Sequence, residues 1–207
     1  MLQIRQGRVK PVTSKEFKKL REEQGWKVLD VRPPEEVNKA EVKDTVQVPL
    51  FVVDDDPSIG GLLKQVSSFG MGGWWLGGKH MKPNETFMAD VQQQLKKDQP
   101  VIVCCQKGLR SLSACEQLAK AGYEQIGWLT GGFDACEKED LETVTGIDVR
   151  YAGIGGLSEA LGWTEVQQRE KKGFMGGFEN ILKIFAVVLV LDTLLFAVEA
   201  IMANMRK

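Results

Sequence analysis

Apolar and polar positions along the chain fall into short runs whose period keeps changing. Val9-Lys-Pro-Val12, Trp26-Lys-Val-Leu29, Val46-Gln-Val48, Val101-Ile-Val-Cys-Cys105 and Ile126-Gly-Trp-Leu129 have the length and the branched or aromatic side chains of strands. Pro11 cannot donate to a ladder, so the first of them belongs at a sheet edge. Between the runs the period shifts to three and four. Thr13-x-x-Glu16 is a capping box that opens a helix carrying Phe17 and Leu20 and ending by Gly25. Pro33-Pro34 turns the chain into a short helix at Glu35-Glu-Val37. Phe87, Met88, Val91 and Leu95 form an apolar stripe behind Asn84 as N-cap. Leu112, Cys115, Leu118 and Ala119 form another, on a helix from Ser111 to Ala121 stopped by Gly122. Gly131-Gly132 turns into a short helix from Phe133. Strands alternating with helices predict an α/β fold, a parallel sheet flanked by helices.

Two stretches break the alternation. Residues 50–83 are irregular: an acidic turn, Asp54-Asp-Asp56-Pro57, is followed by a glycine-rich segment around Trp74-Trp75. Connections this long are functional or flexible, so 54–83 reads as an insertion in a domain spanning 1–148. Trp74-Trp75 fits a lid, a membrane-interface contact or a partner contact. Residues 149–178 form a glycine-broken linker, followed by an apolar segment, 179–205, predicted to be one transmembrane helix. Ile181 to Asn204 covers 24 residues, about 36 Å as a helix against a hydrocarbon core of roughly 30 Å. Lys171-Lys172 and Arg206-Lys207 flank it, so the charge rule leaves orientation open. Phe174 and Phe178 suit the near interface, and Lys183 can snorkel there. Asp192 falls near the middle, where a carboxylate costs about 2.5–3.5 kcal/mol on insertion scales. Asp192 and Glu199 are seven apart, on one helix face, and that face is expected to meet a membrane-protein or pigment-protein partner.

Charged residues make up 27% of the 207 and the net charge is −1. No basic stripe with interleaved aromatics appears, which argues against nucleic acid as a partner. The four cysteines lack CxxC spacing and His80 is the one histidine, so no metal is expected, and no cofactor is called for. A disulfide framework does not suit a chain of this size, which points to a reducing compartment. His80, in the glycine-rich segment, reads as a solvated residue.

The candidate chemistry lies in Val101 to Ser111. A buried strand delivers Cys105 into a loop, Cys105-Gln-Lys-Gly-Leu-Arg110, that feeds the next helix at Ser111. A thiol ringed by backbone amides and a helix N-terminus is placed to be held as an anion. Strand alternation turns Cys104 to the opposite side, into core packing. Cys115 also reads as core, with a resolving thiol for Cys105 as the alternative. Cys136 is left unassigned.

Asp30-Val-Arg32 with Glu35, then Cys105-Gln-Lys-Gly108-Leu-Arg110-Ser111, then Leu129-Thr-Gly131-Gly132-Phe-Asp-Ala135, resemble the signatures of the single-domain rhodanese family over roughly residues 8–145. The segment from Ala152 to Trp163 resembles the extension of plastid rhodanese-like proteins that end in a membrane segment. Two departures stand out. Where the family has Gly-His-Ile-Pro-Gly-Ala, this chain reads Ala40-Glu-Val-Lys-Asp-Thr45, and Cys136 replaces a frequent tryptophan. The glycine-tryptophan insertion has no counterpart in short rhodaneses.

The resemblance implies a sulfurtransferase whose Cys105 attacks a small sulfane-sulfur donor, forms a persulfide and passes the sulfur to a thiol or other nucleophile. Arg110 would hold the loop or an anionic donor. Gln106, Lys107, Gly108, Leu109 and Ser111 would line the substrate site. Asp30, Arg32 and Glu35 would brace the loop from the neighbouring strand end, the ligand-binding edge of a parallel sheet. Cys-x4-Arg is one residue shorter than the Cys-x5-Arg loop of the related phosphatases, which sets sulfur transfer ahead of phosphate chemistry. The implied location is the plastid thylakoid membrane, single-pass, with the domain on the stromal side. The alternative is a structural or assembly subunit of a photosynthetic membrane complex that uses the domain to bind rather than to catalyse.

Overall fold

The computed structural model describes residues 7–164, 166–167 and 174–205, with side chains described for all of these except 139, 174–181, 184, 199–201 and 203–205. The cations flanking the apolar segment, and the side chains of Phe174, Phe178 and Glu199, lie outside this set.

Five strands, β1 (Val9–Val12), β2 (Lys27–Asp30), β3 (Thr45–Gln47), β6 (Val101–Cys104) and β7 (Ile126–Leu129), form one sheet in the order β1-β7-β6-β2-β3, every pair parallel. β6 is central and buried throughout, as expected of a continuous apolar run in a parallel sheet. β1 lies at an edge, and its Pro11 sits opposite Trp128. The remaining pair, β4 (Phe51–Val53) and β5 (Met81–Pro83), is an antiparallel two-stranded ribbon clasping the base of the insertion.

Alternation along β6 splits the core in two. Val101, Val103 and Cys105 pack on one face with Leu29, Phe87, Val91 and Leu118, beneath α4 (Phe87–Gln94) and α5 (Leu109–Lys120). Ile102 and Cys104 pack on the other with Phe17, Leu20, Leu129 and Phe133, beneath α1 (Ser14–Gln24). Thr13 and Glu16 form the expected capping box, and Gly25 ends α1 in the left-handed region.

Three local expectations are corrected. Asn84 does not cap α4: Thr86 stands at that position, while Asn84 accepts from Thr86 N–H at 3.1 Å and donates to Pro49 O at 2.9 Å, tying the turn to the ribbon. α5 begins at Leu109 rather than Ser111, because Gly108 (φ 88°) supplies the turn. The insertion is more regular than its glycines suggest. It holds α3 (Ile59–Ser68), a π-turn at Phe69–Gly73 and a helical turn at Trp74–Leu76. Ile59, Leu62, Leu63, Val66 and Phe69 lie exposed along this segment. In the departing Ala40–Thr45 stretch, Asp44 adopts φ 57°, a conformation that Asp tolerates better than most side chains.

Beyond β7 the chain passes through α6 (Gly156–Ala160) to α7 (Phe174–Met205), 32 residues long and starting earlier than the apolar run. Among the residues whose side chains are described, no helix is long and apolar enough to cross a membrane. Lys183 does not lie free along α7: its ammonium donates to Leu161 O at 3.3 Å.

Candidate active site

β6 ends at Cys104, and the chain turns at once into the loop. Cys105 Sγ receives the backbone N–H of Gly108 at 3.1 Å and of Ser111 at 3.3 Å, and lies 3.4 Å from Ser111 Oγ. The Ser111 hydroxyl is also 3.0 Å from Gly108 O. Two converging amides at the first turn of α5 stabilise negative charge on sulfur, whether thiolate or persulfide. The thiol is 1% exposed.

The loop backbone is clamped from β7. Phe133 N–H donates to Cys105 O at 2.9 Å, Asp134 N–H to Gln106 O at 3.0 Å, and the Trp128 indole N–H to Gly108 O at 2.8 Å. The approach is so close that a Cβ on Gly132 (φ 65°) would lie 2.2 Å from Cys105 O. Only glycine fits there, which gives the Gly131-Gly132 pair its physical reason.

From β2 comes a buried ion pair. Asp30 Oδ1 accepts from Arg32 N and Nε, both at 3.0 Å, and Oδ2 accepts from Nη2 at 2.7 Å; both side chains are wholly buried. The same guanidinium donates to Ala40 O at 3.0 Å and to Gln106 Oε1 at 3.4 Å, and stands 4.7 Å over the Phe133 ring. Asp30 and Arg32 therefore connect the strand end to the loop. Gln106, expected to line the substrate site, is nearly wholly buried and borders a cleft beside the loop. Its amide donates to Asp134 Oδ1 at 2.5 Å and to Val149 O at 3.0 Å. Lys107 and Leu109 are exposed on the outer side of the loop.

Arg110 is tied to Glu36 of α2 (Pro34–Lys39) by two bonds of 2.8 and 2.7 Å. Glu35, the residue expected in the bracing role, turns away to Lys79 at 3.5 Å. Sequence spacing could not choose between these adjacent glutamates, because the phase of a six-residue helix decides which one faces the loop. Trp128 was missed as well; its signal was an indole on a strand leading into the Gly-Gly turn.

The other cysteines are buried where the alternation placed them or in the adjoining core. Burial, with Asp30 nearby, holds the Cys104 thiol well above its ordinary range, and burial with Cys105 nearby does the same for Cys115, whose Sγ lies 3.8 Å from Gly127 O. Cys136 is pushed up to about 12 by burial and by Asp140, Glu137 and Asp134. His80 lies 3.7 Å from Asp54, away from the loop. Among the described residues no cluster of histidine, cysteine or acidic side chains is arranged to hold a metal.

The site is a cysteine in an amide cradle at the carboxyl end of the parallel sheet of an α/β domain. The rhodanese-like domain model matches residues 13–139, more than half of the chain, and the protein belongs to that family. Among curated Arabidopsis thaliana proteins, rhodanese-like domain-containing protein 11, chloroplastic, is 44% identical over 92% of this chain and 66% of its own length. Rhodanese-like domain-containing protein 10 is 40% identical over 75% and 73%. Rhodanese-like domain-containing protein 9, chloroplastic, is 32% identical over 72% and 64%. The chain thus spans just under two thirds of the first and third of these relatives. A solved rhodanese-like domain from Staphylococcus aureus aligns over 64% of this chain and 96% of its own, with 21% identity and a TM-score of 0.42.

Proposed function

We propose that this protein is a rhodanese-type sulfurtransferase tethered to a plastid membrane. The observation that carries the reading is the pair of amides, Gly108 and Ser111, aimed at Cys105 Sγ. With thiosulfate as donor, the Cys105 thiolate attacks the outer, sulfane sulfur. The donor S–S bond breaks, sulfite leaves with the bonding electron pair, and the outer sulfur stays on Cys105 as a persulfide anion held by the two amides. An acceptor thiolate then attacks that outer sulfur and departs as its own persulfide, and Cys105 returns as thiolate. Curated proteins named thiosulfate sulfurtransferase are 27% and 35% identical to this chain over 119 and 54 residues, which supports thiosulfate as the donor to try first. The chloroplastic designations of two relatives support a plastid location.

The tether is α7, and 179–205 is its membrane-spanning part. Support comes from its 32-residue length and from the exposure of Leu182, Phe185, Val187 to Leu191, Leu194, Leu195 and Phe196, a density of apolar side chains that water does not favour. The domain faces the stroma, and the helix face carrying Asp192 and Glu199 meets a membrane-protein or pigment-protein partner. A 20-fold excess of thiosulfate, followed by mass spectrometry of the Cys105 peptide, is expected to show a gain of one sulfur that is absent in Cys105→Ser. Failure of Cys105 to load in folded protein overturns the reading.

The near-complete burial of Cys105 favours one second reading, an assembly subunit of a photosynthetic membrane complex in which the domain binds without catalysing. Under that reading Cys105→Ser assembles normally and Cys105 never carries sulfur.

A further inference from the structure

The insertion and the extension, 79 residues apart at Gly77 and Gly156, are built onto one another beside the cysteine loop. A Cβ on Gly156 (φ 66°) would lie 2.5 Å from Gly77 N and 2.7 Å from the carbonyls of Trp74 and Trp75; one on Gly77 (φ 73°) would lie 2.7 Å from Gly156 N. Both positions need glycine for conformation and for space. Beside this backbone contact the Trp75 and Trp163 rings stand 5.4 Å apart, joining insertion to extension. Each part is also fastened to α2. Lys79 of the insertion meets Glu35 at 3.5 Å, and Lys39 holds both Glu159 and, at 2.9 Å, Ile154 O of the extension. The extension finally rests on the loop itself, since a Cβ on Gly153 would lie 2.7 Å from Gln106 Cγ.

Two clefts flank this double layer. One, of about 230 Å³, is bounded by Glu36, Lys39, Lys79, Leu76 and Gly153 to Gly155. The other, also about 230 Å³, is bounded by Gln106, Lys107, Arg150, Trp75, Trp163 and Val166. They share Leu76, Gly153, Ile154 and Gly155. Glu36, which grips Arg110, opens on one, and Gln106 and Lys107 open on the other. Cys105 itself lines neither cleft; its loop lies between them, under a common cover. Each cleft is smaller than the roughly 300–1,000 Å³ of ordinary small-ligand pockets. A reacting sulfur must come within about 3–3.5 Å of Cys105 Sγ.

We infer that the insertion and the extension act together as a roof that admits small sulfane-sulfur solutes and small thiols to Cys105 and turns away sulfur carried on folded proteins. Trp75 and Trp163 are the specificity-determining residues. The identity of the solute rests on the sulfurtransferase reading; the size limit rests on the geometry of the cover.

The test uses the full chain in detergent and measures alkylation of Cys105 by iodoacetamide and by fluorescein-5-maleimide, read by mass spectrometry of the Cys105 peptide. Comparing the small-to-bulky rate ratio between variants cancels the intrinsic reactivity of the reagents. Trp75→Ala/Trp163→Ala is expected to lower the ratio at least 10-fold. Val166→Trp, which adds bulk to the lining of the second cleft, is expected to raise it at least 5-fold. If the tryptophan variant does not fold, Val166→Trp decides alone. A ratio within 2-fold of the parent in the folded variants overturns the inference. Loading from thiosulfate on the same samples reports separately. A roof-dependent ratio without loading removes the sulfurtransferase reading and leaves the roof; loading with an unchanged ratio does the reverse.

Discussion

Asp30→Asn isolates the interaction on which the loop's support depends. The substitution keeps size and shape but removes the carboxylate that, among the described residues, is bonded to the Arg32 guanidinium, in a place where both side chains are wholly buried. Arg32 would keep Ala40 O, the 3.4 Å contact with Gln106 and the Phe133 ring. None of these carries a full negative charge. Stranding a buried charge in this way costs about 3–5 kcal/mol. At about 2–4 °C of melting temperature per kcal/mol for a chain of this size, the expected drop is roughly 6–20 °C. Asp30→Asn/Arg32→Met removes the stranded charge as well and is expected to recover at least half of the loss, since no uncompensated charge then stays buried. Thermal unfolding of parent, single and double variants in the same detergent, followed by circular dichroism, measures both. A single variant melting within 2 °C of the parent would refute the argument, and so would a double variant melting below the single.

Gly132→Ala is expected to lower stability by about 2–4 kcal/mol, from overpacking against Cys105 O and a left-handed backbone, and to lower persulfide loading more than 10-fold; denaturant melts and mass spectrometry check it. In the folded chain at pH 9, alkylation should fall on Cys105 while Cys104, Cys115 and Cys136 stay unmodified, and all four should react in 6 M guanidinium. The same buried thiols make stability pH-dependent with a definite sign. Cys136 keeps its proton in the folded state up to about 12 but loses it near 8.5 when unfolded, so its contribution is complete below about pH 8.5 and erodes as pH rises toward 12. Under the proposed membrane tether and partner face, Asp192→Leu is expected to leave insertion intact and to abolish co-migration with a partner on native gels; unchanged co-migration would remove the partner face.

The scaffold could be read from the chain because short apolar strand runs alternate with helical stripes, and the continuous apolar run of β6 marks the buried centre of a parallel sheet. The alternation at Cys104 and Cys105 sorted the two thiols correctly onto opposite faces. What could not be read depends on distances across the fold. Whether Glu35 or Glu36 meets Arg110 turns on the phase of one helix turn, about 100° per residue. The bonds of the Gln106 amide to Asp134 and Val149, 28 and 43 residues later, are equally silent in the motif. Glycines in the insertion suggest disorder, yet Gly77 is there for the close approach of a segment near residue 156, and no local pattern announces that.

The position of β1 beside β7 has a bearing on biogenesis. Val9 finds its hydrogen-bonding neighbour only at Ile126, 117 positions downstream, so at a synthesis rate of about 5–20 residues per second the first strand waits roughly 6–23 s for a place in the sheet. Until β7 emerges, β6 has no neighbour on that side, and the domain is open to chaperones and proteases. The apolar C-terminal segment is translated only after β7 is available, so the sheet can close before that segment emerges.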